Sequence, residues 1–151
     1  MNQRFAEIVQ NLGKTVGIDD LAPDDNGYLC LTFDERPVNI EERDGIIFLY
    51  AAIGPLPADG LEGLYRQLLS ANCFYRETQG ATLGVDDKLG VLLFYQTPSA
   101  ALEGNQFETV LQNFINTADA WRGRLEEARS KTNSASAAAE TPGAGAGTVW
   151  A

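Results

Sequence analysis

Two stretches of this sequence carry apolar side chains on both sides of an extended chain: residues 46–53 and residues 91–95. Successive residues of a strand point to opposite faces. Ile46, Phe48 and Tyr50 therefore oppose Ile47, Leu49 and Ala51, and Val91, Leu93 and Tyr95 oppose Leu92 and Phe94. A sheet with one wet face alternates apolar and polar residues. Here both faces ask for cover, so the fold has to bury one face under its own helices and cover the rest either with those helices or with a second chain.

The neighbouring segments say how such strands are joined. Asp86-Asp87-Lys88-Leu89-Gly90 lies between apolar runs at 80–85 and 91–97 and reads as a hairpin loop, in which Gly90 supplies the positive φ that longer loops use. Residues 28–33, 38–42 and 46–53 read as three more strands. Asp34-Glu35-Arg36-Pro37 and Arg43-Asp44-Gly45 break them, and connections this short force antiparallel pairing. Pro55 and Pro57 end the third strand.

Three helices complete the reading. Phe5, Ile8, Val9, Leu12 and Val16 recur at steps of three and four, with Gly17 as the stop. Leu61, Leu64, Tyr65, Leu68 and Leu69 repeat the pattern, with Asp59 as the expected N-cap. Phe107, Val110, Leu111, Phe114, Ile115, Ala118, Trp121 and Leu125 mark a third helix, capped by Asn105 and about 20–25 residues long. From Ser130 the composition turns to Ser, Thr, Ala, Gly and Pro. A segment so poor in apolar surface is expected to be disordered, with Trp150 either incidental or docked on a surface groove.

Charge and residue usage exclude several functions. The 151 residues carry 21 acidic and 11 basic side chains, a net charge of −10. That balance repels nucleic acid and anionic membranes. No apolar run approaches the roughly 18 residues of a membrane span, and Met1-Asn2-Gln3-Arg4 lacks a signal-peptide core, so the chain is expected to remain where it is made. Cys30 and Cys73 are expected as buried, reduced thiols. The absence of histidine removes Ser-His-Asp and Cys-His chemistry and most zinc sites.

Remnants of other motifs fail on position. Gly13-Lys14-Thr15 would need a glycine where Ile8 stands to make a phosphate loop. Asp24-Asp25-Asn26-Gly27 would need carboxylates at Ala22 and Phe33 to make a calcium loop. Glu41-Glu42 are adjacent on extended chain, which sends the two carboxylates to opposite faces, and Asp86-Asp87 are turn carboxylates of the kind commonly left in solvent. No catalytic residue, cofactor site or metal site is expected.

A helix ending in Leu68-Leu69-x-x-Asn72, followed by Gly80-x-x-Leu83-Gly84-x-Asp86 and a strongly apolar strand, resembles the class I type III secretion chaperones, effector chaperones of the Tir-chaperone type. The order of elements fits over residues 1–129, with 130–151 outside it. The resemblance implies an α+β homodimer in which an antiparallel five-stranded twisted sheet carries three helices in the order α-β-β-β-α-β-β-α. It implies a non-enzymatic protein of the bacterial cytoplasm. Such a chaperone binds the extended N-terminal segment of one or more secreted effectors and keeps them stable and export-competent. Its groove would be lined by Phe5, Val9 and Leu12 of the first helix with Phe33, Val38, Ile40 and Leu49 of the sheet. The dimer contact implied by the resemblance uses Leu61, Leu64, Leu68, Leu83 and Leu92, and export-apparatus components are further candidate partners. The alternative is a dimeric adaptor or regulator of the same fold that binds folded partners.

Overall fold

The computed structural model describes residues 2–139. The chain runs α1 (Gln3–Val16), β1 (Tyr28–Phe33), β2 (Arg36–Arg43), β3 (Ile46–Gly54), α2 (Leu61–Asn72), β4 (Thr82–Asp86), β5 (Gly90–Pro98) and α3 (Gln106–Ala139), with 3₁₀ turns at Cys73–Tyr75 and Ser99–Ala101. The strands form one antiparallel sheet in the order β1-β2-β3-β5-β4, the α+β arrangement the sequence leads one to expect.

Two tight turns set the register. Asp34 and Glu35 have φ of 50° and 66°, and Asp44 and Gly45 have 51° and 82°, the mirror-image turn geometry whose twist matches the flanking strands. Phe33 then faces Arg36, and Arg43 faces Ile46. This register puts Leu29, Leu31, Val38, Ile40, Ile47, Leu49, Ala51 and Ile53 on a single face, and all are buried. Gly90 has φ of 86°, and a Cβ there would lie 2.2 Å from the Gly54 carbonyl oxygen, so this hairpin end admits only glycine.

The helices cover that one face. α1 presents Phe5, Ile8, Val9 and Leu12 to it and stops at Gly17 in the left-handed region. It is tied to α3 by the Thr15 hydroxyl, which donates to Glu108 Oε1 at 2.7 Å. α3 lays Phe107, Leu111, Phe114, Ala118, Trp121 and Leu125 on the sheet. α2 runs beside β4, with Leu64, Leu68 and Ala71 buried.

Pro37 has no N–H to offer the stretch of β3 opposite it, and the β2–β3 ladder ends at Asn39 and Tyr50. The Ala52 carbonyl, next in register, instead accepts from Arg122 Nη2 at 3.0 Å. Asp119 holds that arginine from below and pairs with Arg36 as well. Burial lowers the Arg122 pKa from its ordinary value, while the Asp119 hydrogen bond works against that shift.

Several expectations need correction. α3 spans 34 residues and continues to Ala139, well past the expected end near 129. Alanine and serine tolerate helix once a long packed segment has nucleated it, although alone they give no apolar stripe. The residues expected to be disordered beyond 139 lie outside the described residues. The N-cap position of α2 belongs to Gly60, in left-handed geometry without a side-chain cap, and not to Asp59. Cys30 and Cys73 are exposed free thiols. Cys30 alternates with the buried Leu29 and Leu31, and Cys73 follows the last residue of α2, so neither position can point into the core.

Candidate functional site: the outer sheet face and its edges

Among the described residues no helix lies on the sheet's second face along β3 and β5. Phe48, Tyr50 and Leu92 are half-buried there, and Phe94 is 40% exposed. With Glu41 and Arg43 they line an open groove of about 320 Å³. The Phe48 and Phe94 rings lie 5.7 Å apart and tilted by 36°, an edge-biased contact that aromatic pairs favour. Across the groove, Arg43 Nη2 pairs with Glu41 Oε1 at 2.6 Å. Towards β1 the Tyr28 hydroxyl donates to Asn39 Oδ1 at 2.7 Å, and Asn39 Nδ2 donates to the Tyr50 carbonyl at 3.2 Å. Burial raises the Tyr28 and Tyr50 phenols above their ordinary pKa, so both stay neutral donors.

Both sheet edges are partly closed by side chains. On β4 the Leu83 N–H donates to Asn72 Oδ1 at 2.8 Å and the Leu83 carbonyl accepts from Asn72 Nδ2 at 2.9 Å. One carboxamide thus replaces a neighbouring strand at that point. On β1 the Tyr28 N–H donates to Asp24 Oδ1 at 2.9 Å, and its carbonyl accepts from the Asp24 N–H at 2.8 Å. Beyond Tyr28, alternation turns the backbone groups of Cys30 and Thr32 outward in the same way. Nothing among the described residues bonds them on that side.

A second apolar surface lies where α2 meets β4. Tyr65, Leu68, Leu69, Leu83, Gly84 and Val85 line a groove of about 310 Å³ there with Asn72. Leu69 is 70% exposed, Phe74 81% and Tyr75 54%. Phe74 and Tyr75 hold φ of 57° and 53°, a strained conformation for bulky residues, and the Arg76 guanidinium lies 5.4 Å from the Phe74 ring centroid. The segment is anchored from behind by Trp121 Nε1, which donates to the Glu77 carbonyl at 2.9 Å. In the adjoining hairpin loop Asp86 accepts from the Leu89 and Lys88 amides, which hold its carboxyl below the ordinary range.

The residues expected to line the groove are elsewhere. Phe5, Val9, Leu12, Val38, Ile40 and Leu49 are all fully buried, and Phe33 is half-buried against them. In the single chain they belong to the buried layer on the helix-covered face of the sheet, and of the seven only Phe33 keeps accessible surface. Helix and strand periodicity had located the apolar faces correctly but could not say which of them the chain covers itself. Among the expected dimer contacts, Leu64, Leu68 and Leu83 are likewise core residues. Leu61 and Leu92 stay half-buried and accessible.

The exposed set Leu69, Phe74, Tyr75 and Val85 escaped the sequence reading, as did the edge roles of Asn72 and Asp24. Leu69 follows Leu68 directly, and at about 100° per residue it stands at the margin of the apolar stripe, a position that periodicity alone assigns to neither side.

This sheet, with helices on one face and an apolar second face, is the architecture of type III secretion chaperones. The chain matches the crystal structure of the ExsC–ExsE complex with a TM-score of 0.69 and 27% identity, over 83% of this chain and 97% of that one. It matches the Yersinia pestis type III secretion chaperone SycH, solved with a stable fragment of YscM2, in fold, with a TM-score of 0.63 at 18% identity over 78% and 98% of the two chains. A Chlamydia pneumoniae protein, CPj0713/CpB0740, is 30% identical over 124 residues, 79% of this chain and 94% of that protein. The model of the Tir chaperone protein (CesT) family matches residues 7–122, and the chain belongs to that family.

Proposed function

We propose that this protein is a non-enzymatic type III secretion chaperone of the bacterial cytoplasm that holds the N-terminal segment of a secreted effector in extended form. One observation carries the reading: in a chain of this family, the outward backbone groups of Cys30 and Thr32 stand open at the edge of a sheet whose outer face is apolar. An extended peptide can hydrogen-bond to that edge while its side chains reach apolar surface. Solved structures of the same fold support the reading, since one of them is the HopA1–SchA chaperone–effector complex. The mechanism needs no bond chemistry. Ordering a flexible segment costs entropy, and burial of a few leucine-sized anchors at about 1.5–3 kcal/mol each offsets much of it. A net charge of −10 favours neutral or basic segments.

Self-association belongs to the same proposal. The exposed Leu69, Phe74, Tyr75 and Val85 form a surface on which a second copy can dock, leaving β1 and the outer groove to the effector. No helix among the described residues is long and apolar enough to cross a membrane, and no group of three potential metal ligands occurs among them.

The probe is the N-terminal 100 or so residues of a secreted protein that co-purifies with this chain, titrated calorimetrically. Phe94→Asp puts a charge into the groove at a position exposed enough to leave the fold intact, and binding should weaken at least about tenfold, 1.4 kcal/mol. Unchanged affinity, or binding of the parent only to the folded C-terminal part of that protein, would overturn the groove mechanism.

A further inference from the structure

Five of the chain's eight arginines flank α3. On one side Arg36, Arg122 and Arg129 line an open hollow of about 460 Å³ with Asp119 and Glu126. On the other, Arg76 and Arg124 line a hollow of about 300 Å³ with Glu77. Between the two runs the crest of the helix, where Asn116, Ala120, Gly123 and Glu127 are all exposed. Phe114, Ala118, Trp121 and Leu125 are buried on the opposite side of α3, so the crest points away from the sheet. The five arginines face four carboxylates, those of Glu77, Asp119, Glu126 and Glu127, a local charge of +1. The remaining six basic and seventeen acidic residues of the chain carry −11.

The carboxylates leave the arginines underused. Asp119 alone serves both Arg36 and Arg122. Burial lowers the Arg122 pKa most, and the nearby charge of Arg36 lowers it further, the mark of two cations sharing one counter-ion. Arg124 meets Glu77 and Arg129 meets Glu126 at 3.4 Å, each through a single nitrogen. Ion pairs so long and so exposed contribute little. A guanidinium offers five donors in a fork that matches a carboxylate, so an incoming acid can join these pairs or replace them.

Gly123 supplies the geometric half of the argument. In a helix interior glycine costs about 1 kcal/mol relative to alanine. A Cβ built at this position meets nothing within 4 Å, so no packing inside the chain calls for a glycine. It sits on the crest and in the wall of the larger hollow. A crest lowered there lets a second helix cross α3 at about 8 Å, the near end of the range for packed helices. Carboxylates at i and i+7 of that helix stand about 10.5 Å apart along its axis, close to the width of α3, and one reaches each arginine flank.

We infer that the crest of α3 and its two arginine flanks dock an acidic helix of a partner protein. The face stays open while the outer groove and the β1 edge are filled. Where such docking falls in a cycle of effector loading rests on the chaperone reading; the docking does not.

The probe is a fluorescein-labelled alanine–glutamine helix of eighteen residues with glutamates at its fourth, eighth, eleventh and fifteenth positions, all on one face. It is titrated with the full chain by fluorescence anisotropy at about 20 mM salt, where exposed charges are weakly screened. The parent should bind it at least fivefold more tightly than the same peptide with four glutamines, or with the four glutamates spread round the helix. Gly123→Leu should weaken binding at least fivefold while melting at or above the parent's temperature, because leucine is the better helix former and the position has room. Arg124→Gln with Arg129→Gln should weaken binding by as much, with the parent's circular dichroism spectrum as the check on folding. No binding by the parent, equal affinity for the three peptides, or parent-like affinity in Gly123→Leu would each overturn the docking. A twelve-nucleotide single-stranded DNA that binds more tightly than the glutamate peptide would assign the face to a phosphate polyanion and overturn it too. In each of these cases an effector fragment still bound by the parent leaves the chaperone reading standing.

Discussion

Asn72 does with one side chain what an entire strand does elsewhere in the sheet. Its carboxamide gives an acceptor and a donor to Leu83 at 2.8 and 2.9 Å, closing the β4 edge where it is nearest to α2. Aspartate could not substitute, because it has no N–H for the Leu83 carbonyl. Asn72→Ala leaves both backbone groups to be satisfied by water in a half-buried place, and should cost about 1–3 kcal/mol. Urea denaturation measures this directly, and a loss under half a kilocalorie would show that the edge needs no plug. The sequence displayed Asn72 only as the end of a helix motif. Its reach to Leu83, eleven residues on, depends on the turn at 73–81, where Phe74, Tyr75 and Gln79 all take positive φ. No local pattern encodes those dihedral angles, and that is why this role was illegible.

At the scale of elements, the alternation rule that hid nothing about the core also identifies which strand is open. The order α-β-β-β-α-β-β-α and five of the turn or stop residues were legible, because periods of 2 and 3.6 and residues such as Gly17, Asp44, Gly45, Pro37 and Gly90 act locally. Which apolar face stays uncovered was not, since it depends on all three helices choosing the same side. In β1 the chain alternates between ladder groups and open ones: Leu31 bonds to Val38, whereas Thr32 turns its N–H outward. Proline removes only the N–H of the residue it replaces, so the two positions should respond oppositely. Thr32→Pro should leave stability within about 1 kcal/mol of the parent and weaken the effector fragment at least about tenfold. Leu31→Pro should unfold the domain by costing about 3 kcal/mol or more along with a core contact. Circular dichroism melts paired with the fragment titration check both. Equal binding by the parent and Thr32→Pro would mean that the effector does not use this edge.

For the whole molecule, the balance is between a core that is complete and a surface that is not. Among the described residues, twenty-six hydrophobic side chains form a single buried cluster, so the core they make does not depend on a second copy. Leu69, Phe74, Tyr75 and Val85 nevertheless remain in water, two of them on strained backbone, beside the groove between α2 and β4. A stable pairing of copies buries roughly 1,200–2,000 Å². Exposed leucine- and phenylalanine-sized side chains contribute about 1.5–3 kcal/mol each on burial. A two-fold axis would count each of them twice, because a closed dimer uses the same patch on both copies. The expected mass by light scattering at tens of micromolar is therefore twice the 16.3 kDa of the chain. Leu69→Asp with Phe74→Asp should yield a folded monomer with the parent's circular dichroism spectrum, since neither side chain supports the core. Leu68→Asp, one residue away but only 4% exposed, should instead unfold the chain by burying a charge. A parent of single-chain mass would overturn self-association, a double variant that remains a dimer would place the contact elsewhere, and either would return α2 to the pool of surfaces open to other partners.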